Sequence, residues 1–368
     1  MHIVKSERYI NAVKKIILGL PKEPKKYLVT GATGLIGSCI VDALLMANKE
    51  YGIKNVVYAV SRSSKNLFNR FFYADEDELI GIEQDICNPI NLDVPVDYII
   101  HGASNADPCS YALYPVETIL TNIYGTNNIL NYAQMNNVGR VIFLSTFEVY
   151  GKVNRNSIYT ETDCGNLNFN MLRAAYPESK RCSELLLNCY GDEYGIDFVI
   201  GRLCSIYGPT MKIDDSKAHA QFLRNALNNE DIVLKSKGLQ SRTYLYVIDA
   251  VAAIFEILFK GDTGRIYNIS SEKSITTIAN LAETISSISG TKVIFDVPNE
   301  VESKGFSIPQ DCILDNTNLK SLGWNAKYDI KSGMKETYDI LSEMKVNGGV
   351  NARNFERTGL SSQFRACP

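Results

Sequence analysis

The sequence predicts an α/β protein in which a doubly wound parallel sheet carries helices on both faces. Strand-like segments that are apolar without clear polar alternation recur along the chain, which is typical of strands buried on both faces. Helical segments separate these strands, so each strand joins the next through a crossover. A glycine-rich turn lies between the first strand and the helix that follows it. With 368 residues, the chain is long enough for this unit and for a smaller mixed α/β lobe.

The elements follow in order along the chain. A leading helix is predicted to pack on the body, with a membrane-surface helix as the alternative, because apolar residues recur at helical spacing: Ile10, Val13, Ile16, Ile17 and Leu20. Strands are predicted over residues 26–31, 55–61, 81–85, 97–104 and 140–145. Helices are predicted over 35–47, 115–136 and 175–194, and a further strand over 197–209 ends in a loop.

These elements predict a division of the chain into four parts. Residues 1–25 form an N-terminal helical extension. Residues 26–205, joined by 240–270, form the domain with the parallel sheet. Residues 206–239 and 271–345 form the smaller lobe, and 346–368 form a flexible tail, because that segment has little apolar periodicity.

Composition and charge exclude several classes of protein. The net charge of −3 provides no basic excess for a nucleic-acid surface. No apolar run is long enough to span a bilayer, so we expect no membrane partner. The nine cysteines include no Cys-x-x-Cys pair, and there are three histidines, so a zinc site is not expected. We expect reduced thiols in a cytoplasmic protein.

The segment TGATGLIG, which begins at Thr30, predicts a dinucleotide-binding turn of the Rossmann type. Gly31 allows the tight turn, Gly34 lets the backbone approach a pyrophosphate, and Gly37 lets the helix pack closely on the strand. The N–H groups at the start of the helix favour the phosphates. The cofactor contacts predicted in this turn are Gly31, Thr33, Gly34, Leu35, Ile36 and Gly37.

The residues after the second strand predict the choice of cofactor. Arg62, helped by Ser61 and Ser63, could hold a 2′-phosphate, which favours NADP. The alternative is NAD, with Arg62 solvated at the end of a strand. Asp85 is placed to meet the adenine ring, and small residues after the fourth strand leave room for the dinucleotide. The remaining predicted cofactor contacts are Ile86, Gly102, Ala103, Ser104 and Asn122.

The segment YPESK places Tyr176 and Lys180 four residues apart, on one face of a helix. A free tyrosine has a pKa of about 10, and a nearby ammonium would lower that pKa. Lys180 could also bind the nicotinamide ribose, and Thr146 could hydrogen-bond the same substrate oxygen as Tyr176. The three residues suit removal of a hydroxyl proton while a hydride leaves for the nicotinamide. We therefore predict Thr146, Tyr176 and Lys180 as catalytic residues.

With these motifs the chain resembles the extended short-chain dehydrogenases/reductases, in the group of nucleotide-sugar epimerases and dehydratases. The resemblance rests on TGATGLIG, HGAS, NIYGTNNIL, STFEVYG, YPESK, RLCSIYGP and RTYLYVIDA, which stand in the family's order. It implies a nucleotide-binding domain, a lobe for a nucleotide-diphosphate sugar, and a homodimer formed through two helices per subunit. It also implies oxidation of the sugar at carbon 4 by Thr146, Tyr176 and Lys180.

Glu148 bears on which reaction follows this oxidation. In the family, dehydratases and decarboxylases carry Glu at this position, so Glu148 resembles an acid/base residue beside carbons 5 and 6. A carboxylate bound to local backbone N–H groups is the alternative. Phe147 stands where one dehydratase branch has Asp, whereas GDP-mannose dehydratases lack that Asp and carry a signature similar to SRSS. The leading prediction is therefore a nucleotide-sugar 4,6-dehydratase.

Three other reactions stay open, together with a non-catalytic binder. A UDP-glucuronate decarboxylase is favoured by the likeness of SKR and GPTMKIDDSKA to that branch. It is disfavoured because Thr210 replaces an arginine and because GFSIPQDCILD, residues 305–315, lacks the arginines of that branch. A 4-epimerase and an NADPH-dependent ketosugar reductase are the others. For the substrate we predict contacts with Ser205, with Arg242 at the diphosphate, and with Tyr150 as pocket wall, packing being the alternative for Tyr150.

Overall fold

The structure, a computed structural model, describes residues 3–153, 158–212, 214–296 and 311–346. Residues 347–368 of the predicted tail and residues 305–310 of the arginine-poor segment lie outside the described residues. Within the described ranges, no helix is both long and apolar enough to cross a membrane. The eight cysteines in these ranges form no disulfide bond, and no cluster of three or more His, Cys, Asp or Glu side chains there could hold a metal ion.

The strands and helices of the described ranges are as follows. The strands are β1 (Lys26–Thr30), β2 (Val56–Ser61), β3 (Leu79–Glu83), β4 (Tyr98–His101), β5 (Arg140–Thr146), β6 (Ile158–Tyr159), β7 (Phe198–Leu203), β8 (Ser205–Tyr207), β9 (Ile232–Leu234), β10 (Ser241–Tyr246), β11 (Ile266–Ile269), β12 (Ile275–Thr277), β13 (Val293–Phe295) and β14 (Ile313–Leu314). The helices are α1 (Glu7–Ile17), α2 (Leu35–Tyr51), α3 (Ser64–Arg70), α4 (Pro108–Leu113), α5 (Pro115–Met135), α6 (Ala175–Tyr194), α7 (Ala218–Leu227), α8 (Val247–Lys260), α9 (Ile278–Ser289), α10 (Thr317–Ser321) and α11 (Ile330–Val346).

A seven-stranded sheet with the order β11-β7-β5-β4-β1-β2-β3 forms the centre of the molecule. All its neighbouring strands are parallel. The strand order reverses between β1 and β4, which opens a crevice at the carboxyl ends of these two strands. The predicted doubly wound parallel sheet is confirmed.

Successive side chains of β1 point to opposite faces of the sheet. Tyr27 and Val29 belong to the apolar core that also contains residues of α1, α2 and α8, whereas Leu28 belongs to the core that contains residues of α5 and α6. This alternation buries both faces, which explains why the strand is apolar throughout.

The smaller lobe is mixed α/β, as predicted. Helices α7, α9 and α11 pack against one another, and β9 pairs in parallel with β13 beside them. A three-stranded sheet, β12-β10-β8, stands between this lobe and the large sheet.

Several predicted elements differ in extent from the structure; β3 and β4, for example, are observed as Leu79–Glu83 and Tyr98–His101. Two further differences are tied to specific hydrogen bonds. The strand expected over 197–209 is divided into β7 and β8 at Cys204, whose N–H donates to the Ile269 carbonyl oxygen (3.2 Å). Helix α2 runs to Tyr51, beyond its predicted end, because buried Asn48 hydrogen-bonds the backbone N–H and C=O of Asn55. Apolar periodicity could not reveal a helical turn whose buried residue is polar.

Helix α1 is joined to the body through a buried carboxylate. Its apolar face packs on α2 and α8, as the packing interpretation predicts. The Tyr9 hydroxyl donates to Asp42 on α2, whose carboxylate also accepts hydrogen bonds from Arg70 and from the Tyr73 hydroxyl. Asp42 is 2% exposed. One buried anion therefore ties α1, α2 and the end of α3 together.

We expect Asp42→Asn to lower the free energy of unfolding by about 3 kcal/mol, because it leaves the Arg70 guanidinium buried without its counter-charge. Chemical denaturation measures this. The matched control is Glu256→Gln, which removes the partner of the exposed Lys260 ammonium and should change stability by less than about 0.5 kcal/mol. Equal effects of the two substitutions would contradict the anchoring role of Asp42.

Candidate active site

The turn between β1 and α2 has no room for side chains at two of its glycines. Gly31 has a φ of +70°, and a Cβ there would lie 2.9 Å from the Gly102 carbonyl carbon. A Cβ on Gly37 would lie 2.2 Å from the Gly31 carbonyl oxygen. Gly34 begins α2 without a side-chain cap, so the first N–H groups of this helix can receive an anion. This cradle fits the pyrophosphate of a dinucleotide, and Thr33, Leu35 and Ile36 are partly exposed along it.

The loop after β4 is fixed beside the glycine turn. The N–H groups of Gly102 and Ala103 both donate to Thr30 Oγ1, each at 3.1 Å. Thr30 Oγ1 in turn contacts His101 Nδ1 at 2.7 Å. Burial, reinforced by the Lys180 charge, lowers the pKa of His101 to about 3, so the imidazole is neutral at physiological pH. The crevice at the strand reversal is thus lined by fixed backbone.

The buried position of Asn122 contradicts its prediction as a cofactor contact. It is 1% exposed, so its side chain has almost no surface for a cofactor. Its Oδ1 accepts from Ser104 Oγ, and its Nδ2 donates to Ser179 Oγ, both at 2.8 Å. Ser179 Oγ donates to the Tyr176 carbonyl oxygen (2.9 Å). Asn122 therefore links the cofactor loop to the helix that carries Tyr176.

The serines after β2 are engaged in local backbone contacts. Ser63 Oγ accepts the Asn66 N–H as the N-cap of α3 (3.3 Å), and Ser61 Oγ accepts the Ser63 N–H (3.3 Å). Arg62 extends into solvent with its side chain 68% exposed, and its Nη1 lies 3.4 Å from Glu117 Oε1. No local pattern pointed to this acidic neighbour, which stands 55 positions further along the chain.

The predicted adenine contacts lie next to β3. Asp85 is exposed, and its carboxylate accepts the Cys87 N–H at 2.8 Å. Ile86 is 5% exposed and packs against the helix face at Gly125. Of these two predicted contacts, the Asp85 side chain is therefore the one exposed to a ligand.

Thr146, Glu148 and Tyr176 converge at the carboxyl end of β5. Thr146 ends the strand, and its Oγ1 accepts the N–H of Glu148 (3.3 Å) in the 3₁₀ turn Phe147–Tyr150. Tyr176 lies in the first turn of α6 and is 6% exposed. Burial and then the Glu148 charge raise the pKa of Tyr176, against a hydrogen bond with Thr146 that lowers it.

The expectation that Lys180 lowers the pKa of Tyr176 is wrong in this structure, because the Lys180 ammonium faces the strand. Its Nζ donates to the Leu144 carbonyl oxygen (2.9 Å) and lies 4.5 Å from the centre of the Phe143 ring. Burial lowers the pKa of Lys180 to about 7, opposed by the charge of Glu184.

Two residues that sequence reasoning missed complete the group. The Arg173 Nη1 donates to Glu148 Oε2 at 2.7 Å, and its guanidinium lies 4.6 Å from the centre of the Tyr111 ring. Tyr111 stacks on Tyr176 with ring centroids 5.1 Å apart. The Glu148 carboxylate therefore binds side chains rather than local backbone N–H groups. Arg173 stands three residues before Tyr176 and could have been noticed, whereas no sequence signal pointed to Tyr111.

The predicted substrate contacts from the second part of the chain are adjacent. Arg242 on β10 and Ser205 on β8 share a sheet face, since Ser205 pairs with Tyr244, two residues after Arg242. The buried Arg242 Nε has no hydrogen-bond partner among the described residues. A buried N–H without an acceptor is costly, so this group suits an anionic ligand. Thr210 Oγ1 donates to the Leu35 carbonyl oxygen (2.7 Å), next to the glycine turn.

Tyr150 is a packing residue, which corrects its assignment to the pocket wall. It is 1% exposed, and its hydroxyl donates to Asn268 Oδ1 (2.6 Å). The Arg202 guanidinium covers its ring at 4.8 Å. These contacts use both the hydroxyl and the ring in the core.

A family model described as the NAD dependent epimerase/dehydratase family matches residues 27–270. The chain belongs to this family. The resemblance drawn from the motifs is thereby confirmed, and the matched residues contain the glycine turn, Glu148, Tyr176 and Arg242.

Individual proteins similar to this chain support the same family assignment. UDP-glucuronic acid decarboxylase 6 of Arabidopsis thaliana is 34% identical over 311 residues, which cover 84% of this chain and 86% of that protein. The structure of a UDP-glucose 4-epimerase of Thermotoga maritima, solved with UDP-glucose, has a TM-score of 0.72 at 25% identity. The superposition covers 87% of this chain and 99% of the epimerase chain. A dTDP-glucose 4,6-dehydratase of Streptomyces venezuelae, solved with NAD, has a TM-score of 0.71 at 26% identity, with coverages of 88% and 98%.

We expect Gly37→Ala to weaken dinucleotide binding by about 10-fold or more, because its Cβ would collide with the Gly31 carbonyl oxygen and displace the start of α2. Calorimetric titration with NAD measures this. Gly19→Ala is the control, since its Cβ would meet only the Ile16 carbonyl oxygen at 3.8 Å. Unchanged affinity in Gly37→Ala would show that the turn does not hold the cofactor.

Proposed function

We propose that the protein is an NAD-dependent UDP-glucuronate decarboxylase. One observation carries this choice over the other reactions of the family: the likeness to UDP-glucuronic acid decarboxylases extends over 84% of the chain, at 34% identity in the first case. The geometry supports it, because Glu148 and Arg173 form a charged pair beside Tyr176, where the sugar would react. The proposal replaces the 4,6-dehydratase as the leading hypothesis and keeps nucleotide-sugar oxidation at carbon 4.

The proposed residue roles follow from their positions. Tyr176 takes the proton of the 4-hydroxyl, Thr146 holds the same oxygen, and Lys180 orients the nicotinamide ribose. A nicotinamide dinucleotide held at the glycine turn would supply the acceptor for the carbon 4 hydride and the donor for its return. A ketone at carbon 4 is β to the carboxylate, so the bond between carbons 5 and 6 can break and release CO₂ with its electron pair left in an enolate. We assign to Glu148 the relay of a proton from solvent to carbon 5, which consumes the enolate.

A 4,6-dehydratase is the second candidate, and Glu148 favours it too. The same carboxylate could remove the carbon 5 proton before water leaves carbon 6. Phe147 cannot serve as an acid for the leaving hydroxyl, and it packs against the core of the protein. The dehydratase therefore depends on Glu148 alone, whereas loss of CO₂ needs no acid for a leaving hydroxyl.

For the cofactor we propose NAD. Solved neighbours of the family hold NAD, and Glu117 faces the guanidinium of Arg62 that the sequence assigned to a 2′-phosphate. An acidic side chain at this place repels a phosphate and competes for the arginine. NADP remains the prediction of the sequence.

We expect the wild-type protein to bind NAD more tightly than NADP, and Glu117→Gln to tighten NADP binding by about 10-fold, because Arg62 then becomes available. Titration calorimetry with both dinucleotides measures this, with Arg62→Ala as the matched variant. Tighter wild-type binding of NADP that Arg62→Ala removes would establish the sequence prediction instead.

We also propose a homodimer formed through α5 and α6. The two helices pack closely on each other, yet they leave Leu120, Tyr124 and Leu185 exposed at 38%, 51% and 62%. Apolar side chains grouped on a helix pair suit the same pair of a second copy.

The test of the decarboxylase uses UDP-glucuronate labelled at the carboxyl carbon. We expect wild-type protein with NAD to release labelled CO₂, and Tyr176→Phe to lower the rate by about 100-fold or more, because the 4-hydroxyl loses its base. Glu148→Gln should slow product formation while the nucleotide sugar still binds. Wild-type protein that binds UDP-glucuronate and releases no label would overturn the proposal.

A further inference from the structure

We propose that Arg173 is the specificity residue that binds the carboxylate of the sugar, an inference that rests on the proposed function. Arg173 lies in the 3₁₀ turn Leu172–Ala174, immediately before α6. Its side chain is 51% exposed, while the Glu148 side chain to which it is paired is 18% exposed. The guanidinium therefore stands between a partly buried carboxylate and the solvent from which a substrate arrives.

The position of this guanidinium is fixed by an aromatic column. It lies over the ring of Tyr111 at 4.6 Å, and Tyr111 stacks on Tyr176 with an interplanar angle of 13°. The Tyr111 hydroxyl also reaches Glu148 Oε1 at 3.5 Å. Arg173 thus lies over one ring of the aromatic pair that includes the proposed base.

The charges at the site require such a residue. A sugar carboxylate next to Glu148 places two anions close together, and each disfavours the other. A guanidinium offers several N–H donors in a rigid fork, which can serve two carboxylates at once. Within the described ranges, Arg173 uses one donor, Nη1, in its hydrogen bond to Glu148. Its remaining donors suit the incoming carboxylate.

The neighbouring arginines are engaged elsewhere. Arg181 donates to the carbonyl oxygens of Val149 and Gly165, each at 2.7 Å. Arg202 forms a buried ion pair with Glu184 (2.6 Å). Both guanidinium groups are therefore already bound within the protein.

Arg242 and Arg173 act at different positions of the site. Cys312 lies beside Arg242 on the neighbouring strand position, and its thiol feels the charges of both Arg242 and Glu148. We assign Arg242 to the diphosphate, whereas Arg173 is ion-paired to Glu148. Residues 305–315 contain no arginine, so the carboxylate needs a cation from another segment, and Arg173 supplies it.

The experiment measures binding in a Tyr176→Phe protein, in which turnover is blocked. Calorimetry gives the affinities for UDP-glucuronate, which carries the carboxylate, and for UDP-glucose, which does not, with NAD present. We expect Arg173→Gln to weaken the binding of UDP-glucuronate by about 10- to 100-fold and the binding of UDP-glucose by less than about 3-fold. Arg173→Lys should restore part of the loss. Arg265→Gln is the matched control, because Arg265 is half-exposed, ion-paired to Asp262 at 2.8 Å and placed just before β11.

A double-mutant cycle distinguishes direct binding of the sugar carboxylate by Arg173 from an indirect effect of Arg173 through its ion pair with Glu148. The same Arg173→Gln comparison is made in a protein that also carries Glu148→Gln. If Arg173 binds the sugar, its loss still weakens UDP-glucuronate selectively. Equal losses for both nucleotide sugars, or a selective loss that disappears with Glu148→Gln, would overturn the inference. Failure of the proposed function is distinct, because it shows as absence of labelled CO₂ from wild-type protein whatever the binding preference.

Discussion

Helix α6 is fastened to the carboxyl end of β5 by buried polar contacts, and the proposed catalytic residues take their positions from this junction. Lys180 donates to the Leu144 carbonyl oxygen, and one turn later Glu184 accepts the Ser145 hydroxyl at 2.5 Å. Arg202 on β7 binds the same Glu184 through two nitrogens. Since each partner of this buried network satisfies another, the helix has one position on the strand.

The junction explains the chemistry of the site. It brings Tyr176, on the helix, next to Thr146 and Glu148, which follow the strand. It also buries Lys180, which lowers the pKa of its ammonium to about 7 and leaves the phenol with a raised pKa. With its pKa raised, Tyr176 is a neutral phenol in this arrangement. A bound cofactor would add the missing cationic charge next to the phenol.

The crevice at the strand reversal is connected by hydrogen bonds to α6, the helix that carries Tyr176. The chain of hydrogen bonds from Ser104 through Asn122 to Ser179 crosses from the loop after β4 to α6. Thr210, which follows β8, reaches the same crevice through its hydrogen bond to the Leu35 carbonyl oxygen. These hydrogen bonds join the proposed dinucleotide cradle to the proposed sugar site, as hydride transfer between two bound molecules would require.

Local patterns made most of the fold and part of the site predictable. The glycine turn is one continuous segment, so its motif can be recognised in the sequence. The helix predicted over 175–194 matches α6, and the four-residue spacing of Tyr176 and Lys180 puts both on one face of it. Contacts between distant segments were not predictable: Glu117 opposite Arg62, Tyr111 under Arg173, and the Asp42 anchor of α1. The direction of a long side chain such as Lys180, and the burial of Tyr150, depend on packing that spacing alone does not determine.

The most direct measurement is mass spectrometry of the products after incubation with NAD and GDP-mannose, dTDP-, CDP- and UDP-glucose, and UDP-glucuronate in parallel. The account predicts that UDP-glucuronate alone is converted, with loss of the mass of CO₂. Loss of water from one of the neutral sugars, with UDP-glucuronate unchanged, would contradict it and establish the dehydratase. An isomer of unchanged mass would make Glu148 a binding residue.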